Sequence, residues 1–551
     1  MRVATLPPSL PDERRHDYDA LRGFAMLLGI VLHACMAYMG PYWVVQDRGE
    51  SVLLTAAWAF IHGWRMELFF VIAGYFTAMV LRRDGATGMV KRRLRRLLIP
   101  FALAAVAFLP LTHWVSSVGL EQKALRSRGA AQLTDGVYAA VRQGDLTALQ
   151  KIAPDDSDLG NAQYLAAALG QTEALQVLLK RNNGRPAETM LARLHGEHAL
   201  HAAARFGQPE AAQIIVESAR GRPWADEVLL AKNDDGKTAA QLTTRDENES
   251  WQIYGQLGLK HTPAQMKQGR RAVLGLLEPG KAGEQHWSQL TAALHQPWLS
   301  HLWFMWVLMI LTLAFGLWAW VNERWNLPAM PRWMLAEWTR LLWLLPVTTL
   351  LFWWARKDIG FGIDGEMSIL EKPATLVFFG FFFAFGAAMR IRGCEPARIP
   401  WLAWIQLPAL TFIVLPLAFF SAWSSNPAIH FVSCGLQACV AWGMTFTLLD
   451  LFTAHFSKPI AAVRTLADAS LWMYIAHLPL VIALQLWMVN WKLWPIVKCG
   501  LVCSLTFGSL LLINHFFIRR TWVGMLLNGK KAEGDKNEDR AKVETCESGK
   551  V

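Results

Sequence analysis

The chain of 551 residues is 53% hydrophobic and carries 27 Trp and 28 Phe, while charged residues make up only 18%, against roughly 25% in ordinary soluble domains. This excludes a disordered, collagenous or small disulfide-stapled protein, and a net charge of +11 on so apolar a chain raises a membrane before nucleic acid. The seven cysteines include no CxxC, and none falls between residues 119 and 297, so neither a disulfide framework nor a Cys-ligated zinc site can be built there.

A bilayer core of about 30 Å asks for roughly 20 apolar residues in helix, and about ten segments meet that demand. They are 21–43, 62–81, 97–118, 298–321, 334–355, 373–390, 401–423, 429–450, 470–490 and 494–518. The expected fold is an all-α polytopic membrane protein with a soluble insert between the third and fourth spans. The domains are then 1–118, the insert 119–297, the spans 298–525, and a polar tail 526–551 expected to be disordered. The N-terminal apolar run is too long for a cleavable signal and has no A-x-A site behind it, so it reads as a retained anchor.

Lys and Arg set orientation. Arg14, Arg15 and Arg22 precede the first span, and Arg82, Arg83 and the run Lys91-Arg92-Arg93-Leu94-Arg95-Arg96 follow the second. Later loops on the same side hold Arg324, Arg332, Arg390, Arg392, Arg398, Lys458 and Arg464, and the tail adds Arg519, Arg520, Lys530 and Lys531. Both termini are expected in the cytoplasm and the insert outside it. Topology accounts for much of the positive excess, so no nucleic-acid partner is needed; the bilayer is the partner.

Within the insert a helix-pair pattern recurs. Val137–Leu146, Leu165–Leu175 and Ala199–Glu210 each run through small residues to a glycine, Gly144, Gly170 or Gly207, and a fourth start lies at Asp234–Ala240. Small Ala residues let paired helices pack closely, and Gly ends the first helix of each pair. The pattern resembles ankyrin repeats, although the glycines are not at the regular 33-residue period. Such stacks present binding surfaces, so a protein or glycan contact is the default role. His195, His198 and His201 sit three apart, a spacing that raises a metal; the Leu-His-Ala-Ala turn already explains His201, and no metal site is expected.

Ionisable groups at membrane depth are costly and are functional candidates by default. Arg22 and His33 are eleven positions apart, which places them on one helix face about 16 Å apart along the axis, Arg22 at the rim and His33 near mid-bilayer. His62, Arg65 and Glu67 lead into the second span, with Glu67 about 22 Å from Arg82 on the same rise. At that depth Glu67 can approach His33, and a carboxylate beside an imidazole fixes its tautomer and supports a general base. An Arg65–Glu67 structural pair is the competing explanation, although residues two apart do not face each other on a helix. Arg93 and Arg96 share a helical face, as do Arg92 and Arg95; guanidinium forks suit phosphate, while topology and lipid headgroups explain the same charges. His301 and His477 are further candidates, each with a structural alternative in a neighbouring helix.

Asp19-Ala20-Leu21-Arg22-Gly23 with His33 at the Arg-x10-His spacing resembles the first span of the acyltransferase 3 family of integral-membrane O-acyltransferases. Arg65-Met66-Glu67-Leu68-Phe69-Phe70-Val71-Ile72-Ala73-Gly74-Tyr75-Phe76 resembles its second span, nearest the branch associated with succinylation of periplasmic glucans. Arg93-Leu94-Arg95-Arg96 before Pro100 resembles its Arg-x-x-Arg element, and His301-Leu302-Trp303-Phe304 and Tyr474-Ile475-Ala476-His477 resemble later segments. Ala73 stands where the family more often has Ser, and the insert lies outside the resemblance.

The resemblance implies transfer of an acetyl or succinyl group from a cytoplasmic acyl-CoA, a substrate rather than a bound cofactor, to a hydroxyl of an extracytoplasmic carbohydrate. It implies a bacterial inner membrane. His33 and Glu67 would be catalytic, and Arg22, Arg93, Arg96, Arg65 and His301 would bind substrate. A transporter or flippase, or a membrane anchor for the ankyrin-like module, are the rivals. The halves carry no inverted repeat of the kind a transporter would favour, and a mere anchor has no reason to bear the desolvation cost of Arg22, His33 and Glu67.

Overall fold

In the computed structural model the described residues form helices and no strand, with two isolated antiparallel bridges, Glu188 to His198 and Lys232 to Thr238. The described residues run from 15 to 524, with breaks at 41–42, 128–135, 152–155, 189–195, 234–235, 244–262, 279–297, 326–329, 337–338, 356–359, 364, 366, 371, 394–399, 425, 519–520 and 522–523. His195 and the expected polar tail therefore lie outside them. The chain divides into two compact units, residues 1–116 with 297–551, and residues 117–296.

Eight helices among the described residues are long and apolar enough to cross a membrane. One of the eight, Val52–Leu120, is 69 residues long and holds both the second and third expected spans, interrupted by non-helical backbone at Gly85. There φ is +69°, a left-handed conformation that glycine alone adopts without strain. The fifth expected span is the shorter apolar helix Thr339–Ala355.

The first unit opens with α1 (His16–Cys35), a 3-10 turn (Met36–Tyr38), α2 (Val52–His62) and α3 (Arg65–Ser127), of which the residues up to 116 belong to it. α1 starts earlier than its apolar pattern because Asp17 and Asp19 occupy its first turn, where negative charge suits the helix N-terminus. It also ends well before residue 43. α2 is absent from the sequence expectation; it is only 11 residues long, and Ser51 starts it by accepting the Leu54 amide at 3.4 Å.

In the second unit the helices are α4 (Val137–Gln143), α5 (Leu146–Lys151), α6 (Asp156–Leu169), α7 (Thr172–Lys180), α8 (Ala199–Phe206), α9 (Pro209–Ala219), α10 (Ala225–Leu229), α11 (Ala239–Leu242) and α12 (Pro263–Leu277). The first helices of successive pairs stack as α4, α6, α8 and α11, and the second helices as α5, α7 and α9. Ala166, Ala167, Ala168, Ala202, Ala203 and Ala204 are fully buried in this stack. Small side chains at those positions are what let the layers close.

The first unit resumes with α13 (Trp303–Trp325), α14 (Thr339–Ala355), α15 (Pro373–Arg392), α16 (Pro400–Ala409), α17 (Leu415–Ser421), α18 (Pro427–His455), α19 (Ala461–Met488) and α20 (Pro495–Ile513). Between α16 and α17 the residues Leu410–Val414 form a π turn, flanked by Pro408 and Pro416, which remove two helical donors.

Helix association inside a membrane depends on close packing rather than on exclusion of water. α3 and α15 meet backbone to backbone: a Cβ on Gly74 would lie 1.9 Å from the Phe383 carbonyl oxygen, and one on Gly386 would lie 1.9 Å from that of Val71. This contact fixes the second span, and with it Arg65 and Glu67, against the rest of the bundle.

Candidate active site

Three imidazoles that are remote in sequence come together inside the first unit. The His33 ring on α1 lies 5.2 Å from the His477 ring on α19, and the His477 ring lies 5.3 Å from that of His301 just ahead of α13. His301 and His477 are buried, and His33 is partly buried.

Backbone carbonyls fix two of the tautomers, because a carbonyl can only accept. The His477 Nδ1 lies 2.7 Å from the Tyr474 oxygen and 3.1 Å from that of Met473, so Nδ1 carries the proton and Nε2 the lone pair. In His301 it is Nε2 that donates, to the Ile475 oxygen at 3.0 Å, and Nδ1 that is left basic. The His477 Nε2, the His301 Nδ1 and the His33 Nδ1 have no hydrogen-bond partner among the described residues. Three unused ring nitrogens in an apolar bundle are a costly arrangement to keep without a ligand.

Other side chains hold these rings. Trp43 stacks on His33 at 5.6 Å and 24°. Gln485 ties the two together: its Nε2 donates to the His33 and Ala34 carbonyls at 2.9 and 3.2 Å, and its Oε1 accepts the Trp43 indole N–H at 2.9 Å. Tyr474 packs 5.6 Å from the His301 ring and donates its hydroxyl to the His301 carbonyl.

Arg65 brings a positive charge to the same place. Its guanidinium crosses α1 at Gly29, where a Cβ would lie 2.6 Å from Nη1, so the missing side chain is what admits it. It lies within electrostatic reach of His33, His477 and Tyr474, and Glu67 is the acid within its reach. The Arg65 Nε has no hydrogen-bond partner among the described residues. Glu67 is buried at 2% exposure. The largest charged influences on His33 are His477, Arg65, His301 and His62, so what the structure sets beside His33 is chiefly imidazole and guanidinium.

Arg22, Arg93 and Arg96 form a second group. Arg22 reaches Asp19 at 3.5 Å, and both Arg93 and Arg96 lie in its field. Arg93 donates to the Ala73 carbonyl at 3.3 Å. Three guanidiniums from α1 and α3 lie in one another's field, an arrangement that suits a polyanion. Along α1 this cluster and His33 are about 16 Å apart by the helical rise.

Tyr474, Trp43 and Gln485 carry roles that the sequence reading did not give them. A glutamine inside an apolar span is itself costly, and that signal alone could have flagged Gln485.

An integral-membrane helical bundle with apposed basic imidazoles and a guanidinium in its interior, and an arginine cluster toward one end, is the plan of a membrane-embedded group-transfer enzyme. The chain belongs to the acyltransferase 3 family: it matches the family's acyltransferase domain over residues 15–128 and 271–514, more than half its length, and leaves most of the insert outside the match. Among curated proteins it is similar to the glucans biosynthesis protein C of Escherichia coli K12, of strain SMS-3-5 / SECEC and of O1:K1 / APEC. Each is 37% identical over 106 residues, which is 19% of this chain and 27% of the relative. The chain thus spans about a quarter of the length of the curated relatives it matches. No solved structure matches it.

Proposed function

We propose that the protein moves an acetyl or succinyl group from a cytoplasmic acyl-CoA to a hydroxyl of an extracytoplasmic glycan, in a bacterial inner membrane. The observation that carries this reading is the contact of His33, His477 and His301 beside Arg65, with basic ring nitrogens that have no partner of their own.

In this reading Arg22, Arg93 and Arg96 bind CoA phosphates at the cytoplasmic mouth, and the pantetheine arm carries the thioester along α1 to His33. The acceptor hydroxyl gives its proton to His33 as its oxygen attacks the thioester carbon. The C–O bond forms, the C–S bond breaks, and the leaving thiolate takes the proton back from His33. Arg65 stabilises the oxyanion of the tetrahedral intermediate, the place where a preorganised donor acts most strongly. Glu67 orients Arg65 and the imidazole group, while His301 and Tyr474 hold His477. The name of the glucans biosynthesis protein C relatives supports a glycan acceptor.

The second unit reads as an ankyrin-like stack on the extracytoplasmic side, presenting a surface to a protein or glycan. Its stacked helix pairs and alanine-filled core support that reading.

The experiment is acyl-CoA turnover by the full-length protein in lipid, with acetyl- and succinyl-CoA and candidate glucans, comparing wild type with His33→Ala. Loss of a general base lowers turnover by about 10²–10⁴-fold. A folded, inserted His33→Ala protein that turns over normally would remove His33 from the chemistry. A tag near residue 240 that is reached only after the cytoplasmic face is opened would reverse the topology.

A further inference from the structure

One buried cation is used by nothing above. Arg390, in the last turn of α15, is 6% exposed, and its Nε has no hydrogen-bond partner among the described residues. Beside it stands a second guanidinium, Arg82 of α3, whose Nε is also buried with no hydrogen-bond partner among the described residues. Tyr75 faces both: the Arg390 guanidinium lies 5.7 Å from its ring centroid, and Arg82 lies within its electrostatic reach. Tyr75 also accepts a hydrogen bond at its hydroxyl from Arg15 at 3.0 Å, which sets the group at the end of the bundle where α1 begins.

Local structure accounts for only part of this. The carbonyl end of α15 attracts cations, and Arg82 uses it by donating to the Ile391 carbonyl. Arg390 makes no such bond and faces a like charge. Its contact with Tyr75 is shared, since Arg15 lies 5.6 Å from the same ring. Two guanidiniums that repel each other, one withdrawn from solvent without an acid, are held together at a cost that only an anion offsets. The site is separate from the Arg22–Arg93–Arg96 cluster: Arg93 leans on the carbonyl of Ala73, and residues 73 and 75, two apart, do not share a helix face.

We propose that Arg390 and Arg82, with Tyr75, form a second anion subsite that takes a phosphate group. If the acyl-CoA reading holds, on which this identification of the ligand rests, the chemistry of the donor calls for two such places. CoA carries a diphosphate and, on its ribose, a separate 3′-phosphate monoester. The Arg22–Arg93–Arg96 cluster takes the first and the Arg390 subsite the second. A phosphate on a lipid headgroup offers the same chemistry from another source, and the test separates the two.

The full-length protein in nanodiscs of uncharged phosphatidylcholine is titrated with CoA and with 3′-dephospho-CoA, as wild type, Arg390→Gln, Arg390→Lys and Arg82→Gln. Loss of a charge-assisted fork to phosphate weakens CoA binding by roughly tenfold or more in Arg390→Gln. Affinity for 3′-dephospho-CoA stays as in wild type, and Arg390→Lys falls between. Should Arg390→Gln fail to fold, Arg390→Lys and Arg82→Gln carry the same comparison. A parallel thermal melt adds phosphatidate to the bilayer. Unchanged CoA affinity with a phosphatidate stabilisation that disappears in the variants keeps the phosphate subsite and assigns it to lipid. Variants that match wild type in both arms overturn it. Wild type that binds no CoA, with a phosphatidate response that still depends on Arg390, keeps the subsite and removes the donor reading; CoA bound equally by all variants, with no phosphatidate effect, does the reverse.

Discussion

The two units hold the charged groups at their centres differently. In the second unit Glu197 is 1% exposed and fully engaged: it accepts from Arg205, from Asn233 Nδ2 at 2.9 Å and from the Tyr164 hydroxyl at 2.9 Å. Arg270 Nε then donates to the Arg205 carbonyl at 2.6 Å. In the first unit His33, His301, His477, Arg65 and Arg390 each keep at least one nitrogen without a hydrogen-bond partner among the described residues, as His198 does at Nε2 in the second. A satisfied network fixes one arrangement of the chain, whereas an unsatisfied one is stable only when something else completes it. The first unit uses both solutions, since Lys498 pairs with Asp47 at 2.8 Å with both side chains buried. That pair is architecture; the imidazoles and Arg65 are the proposed site.

The sharpest way to break the comparison is to open the network around Glu197. Glu197→Ala leaves Arg205 buried without its acid, a change that costs about 3–5 kcal/mol. Hydrogen exchange across Ala199–Phe206 in the full-length protein should accelerate by several orders of magnitude, while hydrolysis of acyl-CoA by the first unit persists. Next in size is Arg65→Gln, which removes a charge that is not hydrogen-bonded at Nε. Turnover should fall by about 10²–10³-fold, the range for loss of one oxyanion donor, with thermal stability unchanged or raised. A destabilised Arg65→Gln protein would place Arg65 with Lys498 among the structural cations.

A smaller effect distinguishes the histidines of the insert from those of the bundle. His198 caps α8 by accepting the Leu200 amide at Nδ1. His201 accepts the His198 amide at Nδ1 and donates from Nε2 to the Ala231 carbonyl, a neutral arrangement. Burial and the neighbouring His201 push His198 down to about 3. The unfolded chain therefore binds a proton that the folded insert refuses between about pH 3 and the free-histidine value near 6.5. Stability contributed by neutral His198 is full above about 6.5 and declines as pH falls, at up to about 1.4 kcal/mol per pH unit. Hydrogen exchange of α8 measured from pH 7.5 to 5 should show this slope, and His198→Asn should flatten it.

What was legible in the sequence follows the range of each signal. Hydropathy is local, so the long spans stand out, and the repeat glycines mark the joints of the helix pairs. The wider of the two glycine intervals, from Gly170 to Gly207, has a physical cause: the stretch between Lys180 and Ala199 separates α7 from α8. Arg22, Arg93 and Arg96 were visible because two of them share a turn of helix. The pairing of His33 with His477 was not, since nothing local ties α1 to α19, and each histidine alone had a structural explanation. Arg390 was hidden by a sufficient account of a different kind, because topology already explained an arginine at that place. Trp43 follows the first helix in a segment read as span, and its role appears only once Gln485 reaches it.

Gln485 gives the finest form of the comparison, because the insert holds a glutamine built the same way. Gln163 donates to the Leu178 carbonyl at 3.0 Å and accepts the Ala187 amide at 2.7 Å, bridging two parts of the stack. Gln485 donates to the His33 carbonyl and accepts from Trp43, bridging α1 to the ring that stacks on His33. Replacing either by Ala removes about 1 kcal/mol per hydrogen bond, but the loss falls on different quantities. Gln163→Ala should lower the stability of the insert and leave turnover alone. Gln485→Ala frees Trp43 and the His33 backbone, so kcat should fall by about fivefold with KM for acyl-CoA unchanged, because the phosphate contacts proposed near Arg22 are untouched. Gln485→Glu keeps the acceptor for Trp43 and loses the donor to His33. A kcat near wild type there would assign the positioning to the stacked tryptophan, and a kcat as low as that of Gln485→Ala would assign it to the hold on the His33 backbone.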